Sequence, residues 1–156
     1  MRVVMLSKAC VVGAYQRKLE ELAKQPDMVL TVLVPPSWRD SRGEQVLARA
    51  FPQGYTLQIT PVAFNGRFHL HYYPRLGEEL DRLQPDLLHI DEEPYNFATR
   101  HAMGHARRLG IPACFFTWQN LNRRYPLIVR RWEQFNFAQA AYAIAGNHAA
   151  AQVLRA

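Results

Sequence analysis

Asp91, Glu92 and Glu93 stand in a row within His89-Ile90-Asp91-Glu92-Glu93-Pro94-Tyr95-Asn96, directly after the apolar run Asp86-Leu87-Leu88-His89-Ile90. Grouped carboxylates can carry protons, ligate a cation, or start a helix. Pro94 fits the first turn of a helix, where nearby acids gain about 0.3–1 kcal/mol each from the helix dipole. Helix initiation accounts for one or two acids, not for all of them. Glu93 and Pro94 are therefore expected to begin a helix, leaving Asp91 and Glu92 free for a ligand.

Other groupings carry weaker signals. His101 and His105 have the i, i+4 spacing of helical metal ligands, but H-E-x-x-H is missing and Arg100, Arg107 and Arg108 are close. A solvated helix face is expected there, and no metal. Ser7 lacks a G-x-S-x-G elbow. His69 and His71 alternate in Phe68-His69-Leu70-His71-Tyr72, so both point the same way in an extended segment, either as a polar loop face or toward a ligand. Arg123, Arg124, Arg130 and Arg131 flank Tyr125-Pro126-Leu127-Ile128-Val129, with Trp132 next. Such a surface suits anionic lipid or a phosphorylated acceptor, or is simply a solvated helix face. Cys10 and Cys114 lie far apart, without C-x-x-C spacing, and are expected as small buried or half-buried thiols.

The elements that position these residues alternate. Arg2–Leu6 reads as a strand, the segment from Ala14 to Gln25 as a helix with Tyr15, Leu19, Leu22 and Ala23 on one face, and Met28–Val34 as a strand. Residues 37–54 are polar, with a short helix expected around Glu44–Ala50. A half-buried strand is expected at Tyr55–Ile59, a turn at Asn65-Gly66, a helix over Pro74–Leu83 and a strand over Asp86–Ile90. A helix over Pro94–Leu109, capped by Gly110, leads to a strand at Ala113–Thr117, a helix at Pro126–Gln139, a strand at Ala141–Ala145 and a helix from Asn147 to the end. Apolar strands without polar alternation are covered on both faces. The pattern predicts an α/β, Rossmann-like open parallel sheet with helices on both faces.

In such a sheet, ligands bind beyond the carboxyl ends of the strands. That rule gathers Ser7, Lys8 and Gly13; Asn65, Gly66, His69 and His71; Asp91, Glu92, Glu93 and Tyr95; Trp118, Gln119, Asn120 and Asn122; and Gly146, Asn147 and His148. Gly13 either allows a ligand to approach the backbone or is a plain loop glycine. The first loop has no G-x-G-x-x-G and the chain has no P-loop, so neither NAD nor another cofactor is expected.

The 156 residues suit one domain; 49% are hydrophobic and 21% charged, an ordinary globular composition. The net charge of +6 favours anionic partners. The basic residues are scattered and no nucleic-acid motif occurs, so nucleic acid is not expected. No apolar run approaches the roughly 18 residues of a membrane helix, and the N-terminus has no convincing cleavage site. A cytoplasmic protein is expected, with peripheral contact at the inner membrane face as an option.

Four segments together resemble the N-terminal domain of family 4 retaining glycosyltransferases, of the two-domain GT-B fold. They are Ser7-Lys8-Ala9-Cys10-Val11-Val12-Gly13-Ala14-Tyr15, the stretch Pro85 to Pro94, Phe116-Thr117-Trp118-Gln119-Asn120, and Ala145-Gly146-Asn147, spread in the family's order over nearly the whole chain. The resemblance implies that residues 1–156 form the acceptor-side, Rossmann-like half of an enzyme that moves a sugar from a nucleotide-sugar donor to a sugar or lipid-linked acceptor with retention, usually without an obligatory metal. It implies that the half binding the nucleotide sugar, with its Glu-x7-Glu motif, is absent here, so that this half alone is inactive. On that resemblance Asp91 is the catalytic candidate, and Gly13, His71, Glu92, Trp118, Asn120 and Asn147 the substrate-binding ones.

Two positions depart from the family pattern. The first loop reads Gly13-Ala14 where many members have two glycines, and Asp91 stands where many have a histidine. A carboxylate there would orient or deprotonate an acceptor hydroxyl. The competing reading is a stand-alone Rossmann-like binding or interaction domain without chemistry.

Overall fold

The computed structural model describes residues 1–121 and 123–155. In chain order its strands are β1 (Arg2–Leu6), β2 (Val29–Val34), β3 (Ser37–Asp40), β4 (Gly43–Val46), β5 (Thr56–Ile59), β6 (Leu87–Ile90), β7 (Ala113–Thr117) and β8 (Tyr142–Ala145). Its α-helices are α1 (Arg17–Ala23), α2 (Leu76–Leu83), α3 (Phe97–Leu109), α4 (Leu127–Gln139) and α5 (His148–Arg155). Six strands form one parallel sheet in the order β5-β2-β1-β6-β7-β8. The chain moves outward from β1 in one direction, then returns to β6 on the other side of β1. The sheet therefore reverses its winding between β1 and β6, and a crevice opens beyond the carboxyl ends of these two strands.

The pattern of β1 explains why the sheet is buried. Val3, Val4, Met5 and Leu6 are all buried. Val4 and Leu6 join Leu76 and Leu80 of α2, Ala102 and Met103 of α3, and Phe115. Val3 and Met5 point the other way, against Leu19 of α1, Leu30 and Val32. Alternate side chains thus enter two separate cores, which leaves no polar face and accounts for the unbroken apolar run. The expected Rossmann-like α/β fold, with helices on both faces, is the observed one.

Local differences from the sequence reading have physical causes. The expected helix around Glu44–Ala50 is instead the antiparallel hairpin of β3 and β4. Its turn is set by Gly43 at φ 114° and by the Asp40 carboxylate, which accepts the Arg42 N–H at 2.8 Å. The helix expected from Ala14 opens as two 3-10 turns, at Ala9–Val11 and Gly13–Gln16, before α1 begins at Arg17. Three helices begin after the prolines thought to start them: Pro74 and Pro94 lie outside α2 and α3, and Pro126 is the N-cap of α4. Gly110 does cap α3, at φ 67°, where its N–H donates to the Ala106 and Arg107 carbonyls. Among the described residues no helix is long and apolar enough to cross a membrane.

Candidate functional site

The register of β1 against β6 places Ser7 and Lys8 beside Asp91 and Glu92 at the carboxyl edge. The Asp91 N–H donates to the Leu6 carbonyl at 2.8 Å, which extends the sheet by one rung. Asp91 Oδ2 then accepts from Ser7 Oγ and from Lys18 Nζ, each at 2.6 Å. Ser7 Oγ in turn accepts the Cys10 N–H at 3.2 Å. No donor among the described residues reaches the other oxygen, Oδ1, and Asp91 lines the crevice.

Glu92 is turned inward. Lys8 Nζ donates to its Oε2, while the Lys8 N–H and Tyr73 Oη donate to Oε1, each at 3.1 Å. His71 lies behind it, with Nε2 3.5 Å from Oε2 and Nδ1 donating to the Phe68 carbonyl at 2.8 Å. Side-chain exposure is 12% for Lys8 and 0% for Glu92. Burial by itself pushes the Glu92 carboxyl up; Lys8, and after it His71, outweigh that and hold it at about 2. Lys8 is also flanked by the rings of Phe68 and Trp38, at 4.8 and 5.5 Å from their centroids.

Glu93 does something else again. Its Oε2 accepts from Thr117 Oγ1 at 2.6 Å, its Oε1 from the Trp118 N–H at 2.9 Å, and its carbonyl from Thr99 Oγ1 at 2.7 Å. It braces the loop after β6 against the loop after β7. No acid lies in the first turn of α3, so the expected use of Glu93 as a helix-starting charge is corrected: the helix begins three residues further on, after Asn96.

The crevice encloses about 1220 Å³. Lys8, Lys18, Asp91 and Glu92 contribute charge to its lining, and Trp38, Phe68, Phe116 and Trp118 contribute aromatic faces. Trp118 is half exposed and lies over Gly146, where a Cβ would meet the indole at 2.6 Å. Gly146 is thus required by Trp118.

Several expected contacts fall elsewhere. His71 is fully buried and does not line the crevice itself; it packs behind Glu92, Trp38 and Phe68, which do. A Cβ at Gly13 would meet the Ala50 Cβ at 2.8 Å, so the chain's own packing fills the space reserved for a ligand. Asn147 caps α5, its Oδ1 accepting the Ala150 N–H at 2.8 Å. Asn120 is exposed beyond Trp118, and Asn122 lies outside the described residues. Arg123, Arg124 and Arg130 line a separate cavity of about 540 Å³ with Tyr125 and Glu133; Arg131 is exposed beside it. His101 and His105 do not form a solvated face: both are part-buried, their Nε2 atoms are 3.2 Å apart, and Tyr72 and Phe97 pack on His101. Burial, then His105 and Arg100, lower His101 to about 4. Among the described residues no group of three or more His, Cys, Asp or Glu side chains is placed to hold a metal ion. Both cysteines are buried, and burial raises both thiols.

The sequence reading missed Lys18, Tyr73 and His89. Lys18 sits among the charged residues of the first helix with no local signal of a role, yet it reaches Asp91. His89 interrupts an otherwise apolar strand; it lines the crevice, its Nε2 is buried without a partner, and burial lowers its pKa. A polar residue inside an apolar strand was the available signal.

No protein-family model matches the sequence, and no curated protein matches it significantly. Among solved structures the chain is similar to a UDP-N-acetylglucosamine 2-epimerase, with a TM-score of 0.63 and 16% identity over 99% of this chain. It spans 44% of that protein's length, less than half. A Gfo/Idh/MocA family oxidoreductase from Vibrio cholerae gives a TM-score of 0.43 and 14% identity, over 94% of this chain and 38% of that one. The first of these likenesses defines the chain's class as a Rossmann-like α/β fold shared with one part of a sugar-nucleotide enzyme.

Proposed function

We propose that this chain is the acceptor-binding half of a two-domain, GT-B glycosyltransferase of family 4, which moves a sugar from a nucleotide donor to an acceptor hydroxyl with retention. The observation that carries this reading is the pair of carboxylates at the reversal of the sheet. Glu92 is wholly engaged by Lys8 and Tyr73, whereas Asp91 keeps one oxygen without a donor among the described residues, at the wall of a crevice. A carboxylate held by Ser7 and Lys18 on one side, with its other oxygen free, accepts a hydrogen bond from a hydroxyl and aligns that hydroxyl for attack. Trp118 and Phe116 offer flat apolar surface on which a sugar ring or an apolar aglycone packs. Asn120 and the arginines around Tyr125 lie further out along the same edge.

The likeness in fold to an enzyme of UDP-N-acetylglucosamine over less than half its length supports a nucleotide sugar as donor, held by a second half not contained in these residues. The reading calls for no cofactor and no nucleic acid.

The test is transfer from a panel of nucleotide sugars to sugar and lipid-linked acceptors by the full-length protein, wild type against Asp91→Ala. Transfer by the wild type that falls about a hundredfold in the variant is expected, in the range of a positioned acid–base or orienting group. Undiminished transfer by Asp91→Ala removes Asp91 from the mechanism. Binding of nucleotide sugar or acceptor with no turnover by the full-length wild type would establish the stand-alone binding module instead.

A further inference from the structure

The segment between Trp118 and Arg131 combines exposed apolar side chains with four exposed arginines. Leu127 and Ile128, in the first turn of α4, are 75% and 55% exposed, and Leu121 and Trp118 are each 57% exposed. Arg123, Arg124, Arg130 and Arg131 are exposed among them, with Glu133 the only acid between residues 118 and 139. One stripe of α4 is occupied: Trp132 packs on Phe97 at 5.2 Å between centroids, Arg100 lies 3.6 Å over Phe135, and Asn136 Nδ2 donates to the Pro94 carbonyl at 2.7 Å. The helix is therefore fixed to the body by one side. Leu127, Arg130 and Arg131 lie off that stripe and face water, while Ile128, in line with Trp132 and Phe135, is left exposed at the stripe's first-turn end.

Apolar side chains in a row invite a partner, and the interleaved arginines specify its chemistry. Such a surface suits an interface that is apolar just beneath a layer of negative charge. Guanidinium forks match phosphate oxygens in two-toothed fashion, and the cavity between Arg123, Arg124 and Arg130 has room for a headgroup. Tyr125, at its wall, is stacked on Tyr95 at 4.9 Å, so the arginine loop is anchored to the loop that carries the carboxylates.

We propose that residues 118–121 and 123–131 form a docking surface for an anionic phospholipid bilayer, in which Leu121, Leu127 and Ile128 enter the headgroup boundary and the four arginines hold lipid phosphates. Trp118 belongs both to this surface and to the crevice lining, so docking sets the crevice mouth beside the membrane plane. The proposal does not depend on the transferase reading, because it is read by binding alone.

The experiment is flotation of the full-length protein with vesicles of phosphatidylcholine alone and of phosphatidylcholine with about one-third phosphatidylglycerol, at low and at high salt. Binding only to the anionic vesicles, weakened by salt, is expected. Arg130→Gln with Arg131→Gln should weaken it roughly thirtyfold, near fivefold for each charge removed. Leu127→Ser with Ile128→Ser should weaken it at all salt concentrations, because it removes apolar insertion rather than charge. All four positions are exposed, so an unchanged melting temperature is expected of both variants, and either double variant suffices if the other fails to fold. Equal binding to neutral vesicles, no binding to either, indifference to both double variants, or preferential capture of RNA competing off the vesicles would each overturn the proposal. Inorganic phosphate at millimolar concentration should not displace the protein from vesicles; complete displacement would mean a soluble phosphate site and would also overturn it.

Discussion

The same two strands carry charge at both ends and treat it in opposite ways. At the amino edge of β1 and β6, Arg2 and Asp86 form an ion pair at 3.7 Å with side chains 56% and 50% exposed. At the carboxyl edge, with the same 84-residue offset, Lys8 and Glu92 pair with side chains 12% and 0% exposed. Ion pairs in water contribute little and cost little. Buried ones surrender solvation that their mutual attraction recovers only when every remaining lone pair and proton is also satisfied. Stability alone gives no reason to bury one end of a ladder and leave the other wet. The buried end is where Tyr73 and His71 supply additional partners to Glu92, where Ser7 holds the neighbouring Asp91, and where the sheet opens its crevice. The two edges therefore separate charge that trims a surface from charge that is held in place at the wall of a crevice.

The hardest way to break this contrast is to remove the buried partner. Glu92→Ala leaves the Lys8 ammonium and His71 without their carboxylate inside the protein and should destabilise the fold by about 3–5 kcal/mol, as is usual for breaking a buried pair. Urea unfolding read by tryptophan fluorescence measures this, and a loss no larger than that of a surface substitution would mean that water reaches Glu92. Next comes Asp91→Asn in the full-length protein. Its amide still fills the space between Ser7 and Lys18, so stability should fall less than in Glu92→Ala, while turnover falls about a hundredfold. If stability and turnover fell in the opposite proportions, the division between a supporting Glu92 and a working Asp91 would be reversed.

How much of this was legible beforehand depends on the range of the interaction. The sheet was readable because strand burial on both faces leaves an unbroken apolar run such as Val3–Leu6, and because Gly110 marks a helix end by a local conformational need. The crevice edge followed from topology alone. What could not be read was the partner of each acid. Asp91, Glu92 and Glu93 are neighbours in sequence, but the loop turns them toward three sites, formed by Ser7 and Lys18, by Lys8 and Tyr73, and by Thr117 with the Trp118 backbone. Those partners lie up to 84 residues away and no local periodicity encodes them. Gly13 and Asn147 lie on the carboxyl edge that topology selects, and their contacts within the chain, packing on Ala50 and capping α5, are equally unannounced by any local pattern. The hairpin of β3 and β4 was missed because its pairing rests on a turn at Gly43 rather than on an apolar pattern.

A titration sharpens the same comparison. The Glu92 carboxyl is held at about 2, below its ordinary 4.5, because Lys8 and His71 outweigh the effect of burial. A carboxylate depressed on folding contributes stability that is fully present above its unfolded value and is lost as the pH falls toward its folded one. Unfolding free energy should therefore decline between about pH 4.5 and pH 2, and this part of the slope should be missing in Glu92→Gln. An identical slope in both proteins would assign the acid sensitivity to other carboxylates.

The smallest effect belongs to the wet end. Asp86 is also depressed, first by the Arg2 N–H that donates to its Oδ2 at 2.6 Å, then by the Arg2 charge. Both side chains are half in water, however, and a pair so exposed is screened and must give up side-chain freedom to form. Asp86→Asn keeps an oxygen for the Arg2 N–H and removes only the charge. Its melting temperature should move by no more than about 2 °C, and the difference should vanish in 1 M salt, where the screening length is about 3 Å. A shift comparable to that of Glu92→Ala would mean that position along the strand, rather than burial and the number of partners, decides what a charge contributes here.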